Sequence, residues 1–411
     1  MVEARALKVP IGSQLLIETQ MERSIPVECV GFTPSGMLLM PFGDMEGVSP
    51  GDRVVYQMST QTVAVGEGLL GRVLDGAGHW IDGGDEVLLP EQRKIYNGAP
   101  PAMDRVHEKD PFYTGVKAWD RFTSMGRGQR MGIFAGTGVG KSVLLGMIAR
   151  ESSADVNVLA LVGERGHEVK EFIESVLGPE GMKRTVLVVA TSDQSPLMRS
   201  RAAFLAKAIA EYFASQGKHV LYMMDSITRM AMAMRELGLS VGEPPTAKGY
   251  PPSVFAAMPR LLERAGCFQK GSITSVITVL LEGDDLQDPI GDAARGILDG
   301  HVVLNRDLAN RGHFPAIEVN ESISRWMNDV ASSEVKALAQ LGRQVLADYK
   351  SSEDLINVGA YVKGSNPDID LAIELRPDLM RFLRQGIVEH VDVGTQLDEL
   401  KKVLRVGDTA S

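Results

Sequence analysis

The pattern of apolar and polar positions changes texture twice along the chain. Over residues 1–65, short alternating runs at 13–18, 27–32, 37–40 and 53–56 are separated by Gly, Pro and Ser turns. Alternation with a period of two buries one face of each run, which predicts a small antiparallel β barrel or sandwich. A turn-rich stretch follows, with Asp75-Gly-Ala-Gly78, Asp82-Gly-Gly84 and Gly98-Ala-Pro-Pro101. From about residue 112, continuous apolar runs alternate with helical periodicity. The runs at 156–162, 185–190, 220–224, 273–281 and 302–304 have the unbroken apolarity of strands covered on both faces. Between them, residues 196–213 repeat apolar pairs every four positions (Phe204/Leu205, Ala208/Ile209, Tyr212/Phe213), predicting a helix with one wide buried stripe. Beyond about residue 332 only helical patterning remains, at 333–346 and 375–383. Three units follow: a β barrel over 1–65, a doubly wound α/β domain over 66–332, and an α-helical domain over 333–411.

Composition narrows the class. The 411 residues are 44% hydrophobic and 23% charged, ordinary for a soluble globular protein, and the net charge of −10 gives no general attraction to nucleic acid. The two cysteines, Cys29 and Cys267, stand far apart with no metal or redox spacing, so they read as buried thiols of a cytosolic protein. The first ten residues lack the apolar core of a signal peptide, and no apolar run approaches a membrane span. Any membrane role would therefore come through partners.

The candidate chemistry begins at Gly136-Thr137-Gly138-Val139-Gly140-Lys141-Ser142-Val143, directly after the apolar run 131–134 and directly before a helical stretch. Glycines there let backbone N–H groups curl around phosphate oxygens, and the opening helix presents its positive end. Lys141 can reach the β- and γ-phosphates, and Ser142 can hold Mg²⁺. The glycine that usually opens this motif is Ala135 here. Asp225 ends the apolar run 219–225, where a strand's carboxyl end would face the loop and orient a Mg²⁺-bound water. Glu164 follows the run 156–162 and is the candidate to polarise an attacking water, with Lys141, Arg165 and Arg229 supplying charge beside the γ-phosphate. His167 has no metal-spaced partner and reads as structural.

Longer motifs occur in order: 163–174 (Gly-Glu-Arg-Gly-His-Glu-Val-Lys-Glu-Phe-Ile-Glu), 224–229 (Met-Asp-Ser-Ile-Thr-Arg), 242–245 (Gly-Glu-Pro-Pro), 248–255, 282–285 (Glu-Gly-Asp-Asp), 297–301 (Ile-Leu-Asp-Gly-His) and 322–325 (Ser-Ile-Ser-Arg). Together they resemble the type III secretion export ATPases, the flagellar branch in particular, and more distantly the catalytic subunits of rotary ATP synthases. Residues 286–290 and 359–365 carry the flagellar resemblance. The resemblance implies a RecA-like nucleotide domain that binds ATP and Mg²⁺. It implies Lys141 and Ser142 on phosphate and Mg²⁺, Glu164 as the water-activating carboxylate, and Arg165 and Glu168 as its neighbours, with Glu168 in the metal's surroundings. It also implies Asp225 in the Mg²⁺ shell, Arg229 on the phosphate side, and Phe314 stacked on adenine. Arg325 corresponds to an arginine finger that reaches the γ-phosphate of an adjacent subunit, and a guanidinium suits charge spread over three oxygens. Where the family usually has Asp, Asn or His after Pro-Ala-Ile, this chain has Glu318.

The same resemblance implies a homo-hexamer at the inner face of the cytoplasmic membrane, peripherally associated. Its expected partners are a stator-like regulator, a central-stalk coiled-coil protein, export-gate membrane proteins, and export substrates with their chaperones. Pore-facing contacts are expected at 242–252. Family members carry an amphipathic helix and a first barrel strand upstream of the segment that begins here at Leu7, so contacts made by that helix are expected to be absent. Two other readings stand beside this one: a virulence injectisome ATPase, which differs mainly in its partners, and a nucleic-acid motor. The motor would need an aromatic and basic platform in the barrel, which offers Phe32, Phe42 and Tyr56 but few basic residues.

Overall fold

The computed structural model describes residues 1–5, 7–58, 61–106, 109–281, 283 and 288–406. The 282–285 motif, apart from Gly283, and residues 286–287 of the flagellar-like run lie outside the described residues.

The alternating N-terminal runs form five antiparallel strands, Val2–Ala4, Gln14–Glu18, Ser24–Phe32, Met37–Pro41 and Arg53–Met58. The first and last of them are the two edges of the sheet, with no pairing between them among the described residues. Its inner face packs Leu15, Ile17, Val27, Cys29, Met37 and Leu39. Thr62–Val65 then pairs with Glu91–Lys94, and Val63 and Val65 join the central core rather than this sheet.

The apolar runs assemble into one nine-stranded sheet. In spatial order its main path is Ile317–Ser324, Gly300–Leu304, Arg130–Ala135, Ser272–Leu280, His219–Asp225, Val156–Val162, Thr185–Ala190 and Val73–Asp75. Pairing along this path is parallel except at the Ile317–Ser324 edge. Every residue of Val156–Val162 and Thr185–Ala190 is buried, as unbroken apolarity requires. One face is covered by the helices Pro196–Ser215, Ile227–Ser240 and Pro252–Leu262, the other by Lys141–Glu151 and the C-terminal helices.

The helix Pro196–Ser215 is more enclosed than its stripe predicts. From Leu197 to Ala214 only Arg199 and Glu211 are not fully buried, so Arg201 and Lys207 sit inside the protein. Each has a local partner: Arg201 donates to Gln61 Oε1, while Lys207 Nζ donates to Ser275 Oγ at 3.2 Å and lies 3.6 Å from the centre of the Tyr222 ring. Burial pushes the Lys207 pKa well below that of an ordinary lysine. The C-terminal unit consists of Ser333–Asn357, Pro367–Leu383 and Val393–Val403. Leu338, Leu375, Leu379, Phe382 and Leu400 share a core with the sheet, so the helical unit is packed onto the nucleotide domain. Among the described residues no helix is long and apolar enough to cross a membrane.

Candidate nucleotide site

The strand Arg130–Ala135 runs into a turn with Gly138 and Gly140 at φ 77° and 92°, conformations that favour glycine. A β-carbon at Gly138 would meet nothing within 4 Å, leaving open space above the loop. Val139 is buried in the core and anchors the loop from below, while Thr137 and Ser142 are exposed. The helix Lys141–Glu151 starts at once, so its N-terminal N–H groups face that space.

Sheet order explains how the carboxylates arrive. Counting across from the phosphate-loop strand come the Ser272–Leu280 strand, then the strand ending at Asp225, then the one leading to Glu164. Lys141 Nζ forms an ion pair with Asp225 Oδ1 and lies 3.5 Å from Glu164 Oε1. Burial works against charge on Lys141, but the two carboxylates outweigh it and raise its pKa. Glu164 is pushed up to about 7, first by burial and then by the charge of Asp225. It also shares a hydrogen bond with Glu168, whose pKa is lowered by that contact. Ser142, Glu164, Glu168 and Asp225 line a cavity of about 160 Å³ together with Val143 and Phe172.

Arg229 lies in the first turn of the helix Ile227–Ser240, which is capped by Ser226. Its side chain crosses Gly163, where a β-carbon would approach it to 3.0 Å. Among the described residues its Nε is buried without a hydrogen-bond partner, a donor left available beside Glu164. Arg165 is placed differently: its side chain is 71% exposed, 3.7 Å from Glu168. Phe314 is exposed, with its ring against the loop; a β-carbon on Gly140 would sit 3.5 Å from two ring carbons.

Arg325 is not brought to this site. Gly300 pairs with Ser324 and Leu304 with Ile317, while Met131 and Ala135 pair with Gly300 and Leu304. The exposed Arg325 therefore leaves the sheet at its amino end, separated from the phosphate-loop end by about 13 Å at 3.3 Å per residue.

Two contributors were not visible in the motifs. Thr278 Oγ1, on the strand between the loop and Asp225, lies 2.8 Å from Asp225 Oδ1 and 3.1 Å from the Met224 carbonyl. Gln385, from the C-terminal unit, gives its N–H to the Phe314 carbonyl at 3.0 Å. Its side chain accepts the Lys117 N–H and donates to the Gly115 carbonyl. Apolar periodicity carries no trace of either residue, because both act through long-range pairing. Thr278→Val is expected to lower the thermal midpoint of the nucleotide-free chain, since a bond to a charged carboxylate contributes about 1.5–3 kcal/mol. Calorimetry reads this directly; an unchanged midpoint would mean that water replaces the hydroxyl.

Ser142 and Asp225 bring one hydroxyl and one carboxylate to the cavity, a donor set that suits Mg²⁺, which binds through one or two carboxylates and substrate phosphates rather than in an all-protein cage. The open glycine cradle, the Ser142 hydroxyl, the buried Asp225 and the unpartnered Arg229 Nε fit a Mg²⁺–nucleotide complex.

Fold and site together define a phosphate-loop nucleoside triphosphatase. The model of the ATP synthase alpha/beta family, nucleotide-binding domain, matches residues 115–324, and that of the T3SS EscN ATPase C-terminal domain matches 331–402. The chain is 50% identical over 394 residues to the flagellum-specific ATP synthase of Bacillus subtilis, covering 95% of this chain and 89% of that one. It is 48% identical over 416 residues to that of Salmonella typhimurium, covering 97% and 90%. With the type 3 secretion system ATPase of Sinorhizobium fredii it shares 47% over 372 residues, covering 90% and 82%. Among solved structures, the assembled ATPase EscN of the enteropathogenic E. coli type III secretion system superposes with a TM-score of 0.93 at 45% identity, covering 98% of this chain and 97% of EscN. EscN in complex with its central stalk EscO gives 0.91 at 44%, with the same coverage. The chain belongs to the ATP synthase alpha/beta family, among the flagellum-specific and type III secretion ATPases, and it is an ATPase.

Proposed function

We propose that this chain hydrolyses Mg²⁺–ATP at the interfaces of a homo-hexameric ring and that the cycle energises protein export through a flagellar apparatus. The observation that carries the ring is the separation of Arg325 from Lys141 within one chain. An exposed guanidinium at the far end of the sheet lies away from its own chain's phosphate loop, which supports a role in another subunit's site. Identical subunits joined head to tail would each give Arg325 and receive one.

Within each site, Lys141, Arg229 and the loop N–H groups hold the phosphates, and Phe314 stacks on the base. Ser142 and Asp225 would hold Mg²⁺, which neutralises charge on the phosphates, and Glu168 lies near enough to order its surroundings. In the free chain the Lys141 ammonium pairs with Asp225; on binding it would turn to the nucleotide's phosphates and keep its charge. Glu164 takes a proton from the attacking water, and Arg165 is placed to steady Glu168. Arg325 of the neighbour meets the charge that develops on the transferred phosphoryl group.

The export role follows from the flagellum-specific relatives, and the central stalk from the EscN–EscO complex. Chaperone release, contacts with a stator-like regulator and the export gate, and a peripheral position at the membrane's inner face belong to the same reading. The loop 242–252 would face the pore; there the Glu243 carboxylate accepts the Ser253 N–H at 2.8 Å and stiffens the loop's exit.

Specific ATPase activity is expected to rise with protein concentration, in step with the ring fraction seen by sedimentation. Activity flat with concentration in a monomeric sample would defeat the proposal. The pH profile adds a second check. Glu164 protonated below about pH 7 in the free chain cannot act as base, so kcat/KM should fall about tenfold per pH unit below that value. The same group should make the nucleotide-free chain lose stability as pH rises from the unfolded carboxylate range through about 7. An acid limb that stays near pH 4 would mean that Glu164 titrates as an ordinary carboxylate, and an unchanged limb in Glu164→Gln would remove it from the role.

A further inference from the structure

The 297–301 motif lies outside the nucleotide site, yet it is built around the residue that supplies the finger. Asp299 Oδ1 and Oδ2 accept the Arg130 fork, Nη2 and Nε, at 2.9 Å each, and Oδ2 also accepts the Arg130 N–H at 3.0 Å. The Asp299 N–H returns to the Arg130 carbonyl at 2.8 Å. Its own carbonyl accepts the Arg325 N–H at 3.0 Å. The residues on either side of Arg325 are fixed as well. Ser324 Oγ accepts from Gln129 Nε2 at 3.0 Å, and the Trp326 ring sits where a β-carbon on Gly126 would approach it to 2.9 Å. Gly300 permits this closeness, since a β-carbon there would lie 2.4 Å from the Ile323 carbonyl oxygen. The result is an exposed arginine on a backbone anchored at three consecutive residues.

Solvent exposure alone asks for no such anchoring. A bidentate Arg–carboxylate pair fixes direction as well as distance, and Arg130 itself belongs to the central phosphate-loop strand. We propose that Asp299, held by Arg130, is a positioning residue for Arg325: it sets where the finger leaves the sheet and so where it meets the neighbouring subunit's nucleotide. The inference rests on the interfacial reading above and extends it to a residue that touches neither substrate nor metal. A reactive group displaced by about 1 Å loses on the order of 10²-fold in rate.

The test uses the full chain carrying Asp299→Asn. Its kcat is expected to fall about 10²-fold, with the KM for Mg²⁺–ATP and binding of a fluorescent ATP analogue unchanged, because the chain's own nucleotide site is intact. Subunit mixing then locates the defect. Activity should return on mixing with Glu164→Gln, whose finger is sound, and should not return on mixing with Arg325→Ala. Rescue in the opposite sense, by Arg325→Ala alone, would place the defect on the Glu164 side and overturn the proposal. Rescue by neither, or an unchanged kcat, would overturn it too. Arg130→Lys keeps the charge but loses the fork, and it should show the same polarity should Asp299→Asn fold poorly. The mixture of Glu164→Gln with Arg325→Ala is the control: if that pair fails to restore activity, the interfacial reading fails by itself.

Discussion

Glu164→Gln should abolish steady-state turnover while leaving nucleotide binding in place, with kcat reduced about 10²–10⁴-fold. The amide has nearly the shape of the carboxyl and cannot accept the proton of an attacking water. It also removes a negative charge that, when ionised, sits with Asp225 in a shared buried space. Binding of Mg²⁺–ATP is therefore expected to be as tight as in the wild type or tighter, so that kcat falls and KM does not rise. Calorimetric titration with Mg²⁺–ATP alongside single-turnover hydrolysis separates the two. A variant that loses binding as well as turnover would make Glu164 a nucleotide-holding residue instead of a base.

Arg325→Ala should be as severe in rate for a different reason. A guanidinium at the developing phosphoryl charge is worth about 10³–10⁵ in kcat where it has been measured in related chemistry. The residue is exposed and its backbone is held by other groups, so the truncation should leave the melting temperature and nucleotide binding of the chain unchanged. Loss of kcat without loss of fold or binding is the signature of a group that acts only in the transition state. A comparable activity in the variant would return Arg325 to the role of a surface residue beside Trp326.

The sequence pattern anticipates the parts of this protein that depend on local chemistry. Unbroken apolar runs marked the buried parallel strands, and the loop at 136–142 needed its strand, its glycines and its helix in immediate succession. The strand Ile317–Ser324 escaped notice because it is an edge with mixed burial, carrying Glu318, Asn320 and Glu321 among its apolar residues. Burial raises the pKa of Glu318. The apolar pairs of the helix Pro196–Ser215 predict one wide buried stripe, and Arg201 and Lys207, which are not among those pairs, are enclosed as well, by residues distant in sequence. Thr278 and Gln385 were hidden for the same reason, and Asp299 stood in a quoted motif without its contact to Arg130 being legible: such roles come from strand order and register, which periodicity does not encode. Barrel closure is likewise a question of edge pairing, and the edges formed by Val2–Ala4 and Arg53–Met58 are unpaired with each other among the described residues.

The central claim, that each active site is shared between neighbouring subunits, is tested most directly by mixing the two inactive chains. Equal amounts of Glu164→Gln and Arg325→Ala, assembled at random head to tail, place an intact Glu164 against an intact Arg325 at about one interface in four. Hydrolysis should therefore return to about a quarter of the wild-type rate in the mixed ring, although each chain alone is inactive. A mixture that assembles and binds nucleotide but hydrolyses no faster than its separate components would contradict the shared site.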